Sequence, residues 1–241
     1  MEQHPLRTLR RTLFKRRHLR AALEQFDRFH EKGRTVEEVV RFARSLPGKG
    51  FFKIRAMQVR SELLRLAGAV AALEPRVILE IGTARGGTLF VWAQIAGDRV
   101  ISCDLEISEH VKALVPAFPP PGSGCLLELL EGDSHVDSFF RKVKKALDGR
   151  AVDFLFIDGD HSEAGVEADY RMYAPLVRAG GLIAFHDIAE RQPSSEHQVQ
   201  RFWKRLKKEA DRFEEIIEDR DQIGAGIGLL RKSDSAQVDQ D

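Results

Sequence analysis

Short apolar runs alternate with amphipathic segments along most of this chain. Val77, Ile78 and Leu79 follow Pro75 and give way to Gly82, Gly86 and Gly87. That pattern predicts a strand buried on both faces, then a glycine-rich turn. Leu89, Phe90, Trp92, Ala93 and Ile95 recur behind the turn at helical spacing. The same order of run, polar break and helix repeats downstream. Residues 99–105, 125–130, 152–157 and 181–185 predict strands, and helices are expected from about Ser108, through Phe139 and Leu147, and through Ala164 and Leu176. Such alternation builds a mostly parallel sheet with right-handed crossovers. The rhythm changes near the end, where a helix containing Val199, Phe202, Trp203 and Leu206 precedes two apolar runs, 213–217 and 227–230. Only a polar, glycine-containing loop separates these runs, so they are expected to pair antiparallel.

Ahead of the first buried strand the pattern is helical. Thr35 and Glu38 have the form of a capping box and open a helix through about Ser45, closed by Pro47-Gly48. After a linker, Lys49-Gly50-Phe51-Phe52, the residues Met57, Leu63, Leu64, Val70 and Leu73 predict one amphipathic helix over residues 55–73. Leu6, Leu9, Leu13, Leu19, Leu23 and Phe26 predict another, crowded with Arg7, Arg10, Arg11, Lys15, Arg16, Arg17 and Arg20. A basic amphipathic helix suits an anionic membrane surface or nucleic acid. Its apolar stripe equally suits docking on the domain itself, or on a second subunit of a homo-oligomer. The chain therefore divides into a basic helical extension (1–54), a sheet domain (55–232) and a tail without structure (233–241).

Size and charge add little to this picture. With 241 residues and a net charge of +1, the chain fits one medium α/β domain with an extension. No apolar run reaches the roughly 18 residues of a membrane span. The basic N-terminus lacks the unbroken apolar core of a secretory signal, and Cys103 and Cys125 lie in strand-like runs as reduced thiols do. A cytoplasmic protein is expected.

In an open α/β sheet, ligands bind beyond the carboxyl ends of the strands. Every central strand here ends in polar or ionisable residues: Glu80 and Gly82; Asp104; Gly132, Asp133 and Ser134; Asp158, Asp160 and His161; His186 and Asp187. Loop-forming tendency explains one or two of these, and explains the whole set poorly. The first turn offers free backbone N–H groups at a helix N-terminus. It lacks the G-x-G-x-x-G spacing of a dinucleotide site, and it puts a carboxylate two residues before the first glycine, which suits a cationic guest. This E-x-G-x-x-x-G pattern resembles the first motif of class I S-adenosylmethionine-dependent methyltransferases. Asp104 can accept two hydrogen bonds from vicinal ribose hydroxyls. Asp133 and Ser134 are candidates for adenine, although Ser134 also suits the N-cap of the next helix.

Residues 156–188, FIDGDHSEAGVEADYRMYAPLVRAGGLIAFHDI, carry the most specific likeness. They resemble bacterial methyltransferases grouped with the cephalosporin-hydroxylase family, and more distantly the metal-dependent catechol and caffeoyl-CoA O-methyltransferases. The likeness spans roughly residues 58–232. It implies a Rossmann-like seven-stranded sheet, mostly parallel with one reversed C-terminal strand, with helices on both faces and a helical N-terminal extension. It also implies a cofactor, S-adenosylmethionine, held by Glu80, Gly82, Thr83, Gly86, Gly87, Asp104, Leu105, Gly132, Asp133, Ser134 and Asp158. A divalent cation would sit on Asp158, His186 and Asp187. The relatives supply oxygen at all three metal positions, and this chain departs from them with a histidine at 186. Mg²⁺ prefers oxygen, whereas an imidazole suits Mn²⁺ or another transition metal; the site then takes a transition metal, or holds Mg²⁺ on the two aspartates with His186 beside it, or is metal-free with His186 as a base. His161 is a candidate proton acceptor, or a helix-entry residue under the adenine. Asp160 is expected to hold His161 or the cofactor's methionine portion, and Tyr170 and Tyr173 are expected to pack.

The expected activity is methyl transfer to a hydroxyl of a small-molecule acceptor, such as a sugar or a secondary metabolite. Two other classes stay open: an NAD(P)-dependent oxidoreductase on a similar sheet, and a non-catalytic protein directed to a membrane or nucleic acid by its basic helix. The missing dinucleotide spacing and the terminal hairpin speak against the oxidoreductase.

Overall fold

The computed structural model describes residues 5–233, with side chains described from residue 13 onward. Residues 234–241, most of the expected tail, lie outside the described residues, as do the side chains of Leu6, Arg7, Leu9, Arg10 and Arg11. The N-terminal part runs α1 (Pro5–His30), α2 (Val36–Arg44), a small hairpin of β1 (Gly48–Lys49) and β2 (Phe52–Lys53), and α3 (Arg60–Ala72). The sheet domain follows as β3 (Val77–Ile81), α4 (Gly87–Ile95), β4 (Arg99–Asp104), α5 (Glu109–Leu114), β5 (Leu126–Glu131), α6 (Asp137–Leu147) and β6 (Val152–Ile157). It closes with α7 (Glu163–Tyr173), β7 (Val177–His186), α8 (Val199–Glu209), β8 (Phe213–Ile216) and β9 (Ile227–Arg231).

Seven strands lie in the order β5-β4-β3-β6-β7-β9-β8. The pairs from β5 to β7 are parallel, while β9 runs antiparallel to both β7 and β8. This is the sheet expected from the sequence, with one reversed strand. Alternation along each strand feeds two cores. Ile78, Phe154 and Phe156 face the layer holding α3, α4 and α5, and Leu79, Leu155 and Ile157 face the layer holding α6, α7 and α8. Both faces are covered, so the central strands are mostly apolar, with Glu80, Ser102 and Asp153 as buried exceptions.

The capping box at Thr35 is present, with Glu38 N–H donating to the Thr35 hydroxyl and Thr35 N–H to the Glu38 carboxylate. Two expectations near it need correction. Residues 49–52, read as a linker, form the turn and edges of the β1–β2 hairpin. Residues 55–59, read as the start of an amphipathic helix, are extended. Ala56 N–H donates to the Ala43 carbonyl at 3.0 Å, and Arg55 bridges Gly86. This strap crosses the start of α4 so closely that a Cβ on Gly87 would overlap the backbone of Arg55 and Ala56. The tie takes Met57 off the apolar stripe and leaves it 61% exposed.

The C-terminal part of the α1 apolar stripe packs inside the molecule. Phe26 is fully buried, its ring 5.5 Å from Phe42, 5.6 Å from Phe90 and 5.5 Å from Phe118. Phe29 stacks on Phe42 at 4.2 Å, so helices before residue 54 share a core with α4. Leu13 and Phe14, further from that contact, are exposed. If this docking is integral to the fold, Phe26→Ala destabilises the protein by about 3–5 kcal/mol, the cost of an aromatic cavity. Chemical denaturation measures it; an unchanged midpoint would mean that α1 is a detachable appendage.

Candidate active site

The carboxyl ends of β3, β4, β5, β6 and β7 open into one cleft of about 690 Å³. Its wall includes Gly82, Thr83, Gly87, Asp104, Leu105, Gly132, Asp133, Ser134, Asp158, Asp160, His161, His186 and Asp187. Strand register accounts for this gathering. Parallel pairing sets Ile81 beside Cys103 and Ile157, and Cys103 beside Leu130, so the chains break from the sheet at one level.

The first turn is shaped by left-handed backbone at Gly82 (φ 103°), Ala84 (φ 42°) and Gly86 (φ 69°). A Cβ on Gly82 would overlap the Asp158 carbonyl, so only glycine lets the turn lie against the end of β6. Asp104 secures the turn from the neighbouring strand, its Oδ2 accepting from Ala84 N–H at 2.8 Å. Leu105, beside it, is 72% exposed at the rim.

Glu80 and Gly86 correct the sequence-based site. Gly86 turns the chain but is not part of the cleft wall. The Glu80 carboxylate stands behind the turn, wholly buried, with Oε1 accepting from Trp92 Nε1–H at 2.8 Å and Oε2 from Ser102 Oγ–H at 2.6 Å. Ser102 Oγ is also 2.7 Å from Thr83 Oγ1, which joins the buried carboxylate to the cleft wall. The buried carboxylate at the end of this strand braces the turn from behind.

On the β5 side, Asp133 Oδ1 accepts from His135 N–H at 2.9 Å, and the Ser134 carbonyl accepts from Tyr173 O–H at 2.8 Å. The N-cap reading of Ser134 fails, because α6 starts at Asp137 behind Val136. Tyr173 and Tyr170 pack as expected, Tyr170 against Phe185 and Phe202.

The β6 and β7 ends bring together a compact group of acids and imidazoles. His186 Nδ1 lies 3.1 Å from Asp158 Oδ1 and 3.4 Å from Asp187 Oδ1. His161 Nε2 lies 3.7 Å from both Asp158 Oδ1 and Asp187 Oδ2. Asp158 Oδ2 also accepts from Gln58 Nε2–H at 2.6 Å. Burial opposes charge on Asp158, but the imidazoles of His186 and His161 outweigh it and hold the carboxyl well below the usual range. Burial likewise opposes charge on His186, and the two carboxylates raise it well above an ordinary imidazole. The Asp158 carboxylate raises His161 against a smaller effect of burial. Of the two roles expected for Asp160, holding His161 is not the one seen. Asp160 Oδ1 accepts from Ser162 N–H at 2.8 Å at the start of α7, and the carboxylates facing the imidazole are Asp158 and Asp187.

Some wall residues carry no sequence signal of their own. Gln58 lies on the strap that the apolar spacing places inside a helix, and His197 lies in the polar stretch before α8. Gly224 and Ala225 reach the cleft on the loop between β8 and β9. Buried Glu62 pins that loop, accepting from Gly226 N–H at 2.9 Å and Gln222 Nε2–H at 2.8 Å. Ala225 N–H in turn donates to Asp187 Oδ1 at 2.8 Å.

Residues 79–188 match a family model described as a methyltransferase domain. Among solved structures, the O-methyltransferase TomG of Streptomyces achromogenes, involved in tomaymycin synthesis and solved with S-adenosylmethionine, is 18% identical. The alignment covers 84% of this chain and 92% of TomG, with a TM-score of 0.53. An O-methyltransferase from Bacillus cereus, solved with S-adenosylhomocysteine, is 22% identical over 83% of this chain and 92% of its own, with a TM-score of 0.54. MycE of the mycinamycin pathway, solved with Mg and S-adenosylhomocysteine, is 15% identical over 84% of this chain but 55% of its own, with a TM-score of 0.53. At these identities the likeness is one of fold. No curated protein matches the chain. Among the described residues, no helix is long and apolar enough to cross a membrane.

The buried carboxylate behind the turn makes a measurable claim. Burial raises the Glu80 carboxyl from 4.5 to about 7, against the pull of Ser102, Thr88 and Trp92. The unfolded chain therefore ionises this group at lower pH than the native one does. Native stability falls as pH rises from 4.5 to about 7, and the full penalty, on the order of 3 kcal/mol, is present above that. Glu80→Gln is expected to flatten this slope in melting temperatures taken between pH 5 and 8. Parallel curves for the two proteins would contradict it.

Proposed function

We propose that this chain, which carries a class I S-adenosylmethionine-dependent methyltransferase domain, methylates a hydroxyl on a small-molecule acceptor with a divalent cation at Asp158, His186 and Asp187. The observation that carries this reading is the meeting of two different half-sites in one cleft. One is a glycine turn braced by Asp104, and the other is a set of two carboxylates and two imidazoles a strand away. The cleft volume lies within the range of small-molecule sites, roughly 300–1,000 Å³.

When bound, S-adenosylmethionine supplies an electrophilic methyl group on a sulfonium. The chain's own residues bind, orient and accept the proton. Asp104 keeps acceptor capacity beyond its bonds to Ala84 and Glu106, enough for the vicinal hydroxyls of a ribose. Thr83, Gly82, Gly87 and Leu105 line the approach to it, and Gly132, Asp133 and Ser134 form the wall assigned to adenine. The anionic Asp158 suits the cationic end of the cofactor or a metal. Ligand atoms of Asp158, His186 and Asp187 lie within 4.8 Å of one another, and one imidazole with two carboxylates favours Mn²⁺ over Mg²⁺. A divalent cation there would lower the pKa of an acceptor hydroxyl.

In-line methyl transfer needs alignment and a deprotonated oxygen. His161, made more basic by Asp158 and Asp187, is the proposed proton acceptor. Asp160 shapes the entry to α7 beside it. Met57 and Leu105 expose apolar surface on the cleft wall beside Arg55 and Arg85, as an acceptor with an apolar body and polar substituents requires.

Asp104→Asn is expected to weaken S-adenosylhomocysteine binding by about 10–100-fold, the worth of a charge-assisted hydrogen bond. Titration calorimetry reads the affinity; an unchanged value would place the ribose elsewhere. His161→Ala is expected to lower kcat by roughly 10²–10⁴, with calorimetric affinity for S-adenosylhomocysteine within a few-fold of wild type. An unaltered kcat would remove His161 from the proton path.

A further inference from the structure

We propose that the cleft holds a second cation-binding set, His161, Asp187 and His197, whose chemistry selects a transition metal such as Zn²⁺. One ligand atom from each lies within 4.8 Å of the others. Tetrahedral ligands on zinc sit about 3.3 Å apart, so small side-chain adjustments close the set.

The two sets share Asp187, and His161 Nε2 also lies 3.7 Å from Asp158 Oδ1, but His197 is positioned by groups outside the inner set. His197 Nδ1 pairs with Ser194 Oγ at 2.9 Å, which fixes the ring and leaves Nε2 available as a ligand. The His161 carbonyl accepts from Gln198 N–H at 2.7 Å, so the segment carrying His197 is tied to His161, and the two rings lie 4.8 Å apart. Asp187 divides its oxygens between the sets. Oδ1 faces Ala225 N–H and His186, whereas Oδ2 faces His161 at 3.7 Å. The left-handed backbone at Asp187 (φ 63°) presents the carboxylate between them.

Two imidazoles and one carboxylate form a borderline donor set. It suits Zn²⁺ or Co²⁺ and discriminates against Mg²⁺, which keeps an oxygen shell. Three protein ligands also leave a tetrahedral position for water. A metal here engages His161, so zinc acts as an inhibitor of methyl transfer. That consequence rests on the role of His161 proposed above; the binding itself does not.

The test is competition between the full-length protein and a chromophoric chelator for Zn²⁺, with Co²⁺ absorption as a second readout. One zinc per chain is expected at the outer set, counted apart from any ion that Asp158 and His186 hold. His197→Ala then weakens zinc at least 10-fold, Ser194→Ala weakens it less, and Asp158→Asn changes it by only a few-fold. Visible Co²⁺ bands of a low-coordinate site should vanish in His197→Ala. Wild-type zinc affinity in His197→Ala, or its loss in Asp158→Asn alone, would overturn the proposal. Zinc inhibition that persists in His197→Ala after binding at this set is lost would refute the link to His161 and leave the site standing.

Discussion

The cleft depends on one close approach. The chain leaves β3 through Gly82, pressed against the Asp158 carbonyl at the end of β6, with no room for a side chain between them. Asp158 N–H donates to the Ile81 carbonyl at 2.8 Å, so the two strand ends are also hydrogen-bonded. This contact puts a glycine turn suited to a nucleoside beside a carboxylate suited to a cation. A bulkier residue at 82 would part the turn from Asp158, and with it the two halves of the site.

Around this approach, buried polar groups do the bracing that apolar packing cannot aim. Glu80, Ser102, Thr83 and Trp92 tie the turn to β4 and α4. Glu62 ties the β8–β9 loop to α3, and that loop supports Asp187. Gln58, on the strap held under Ala43, steadies Asp158 from a third direction. A buried carboxylate is costly unless its oxygens find donors. Glu62 finds donors in Glu218, Gln222 and Gly226, and Glu80 finds them in Trp92 and Ser102.

The sheet was legible because its signals are local. Apolar runs ended by glycine and acid mark the strands, and a short polar loop between residues 216 and 227 marks the antiparallel pair, whereas the order of strands in the sheet is set by tertiary pairing. The gathering of Asp104, Asp133, Asp158, His161, His186 and Asp187 was legible for the same reason, since strand ends share one edge. What escaped the sequence was set by tertiary contact. Residues 55–59 have helical apolar spacing, yet backbone bonds to Ala43 and the approach to Gly87 hold them extended. Glu80 sits where a ligand carboxylate is expected, yet donors from α4 and β4 draw it inward. His197 lies in a polar stretch with no motif and enters the cleft only because residue 198 bonds back to His161.

On the reading proposed above, the Gly82 turn and the Asp158 group build one site for one nucleoside cofactor and its reacting end. A crystal structure of the protein with S-adenosylhomocysteine tests this most directly. The ribose is expected on Asp104, the adenine along Asp133 and Ser134, and the sulfur on the side of Asp158 and His161. A nucleoside bound elsewhere, or in this cleft with its sulfur directed away from Asp158, would contradict it.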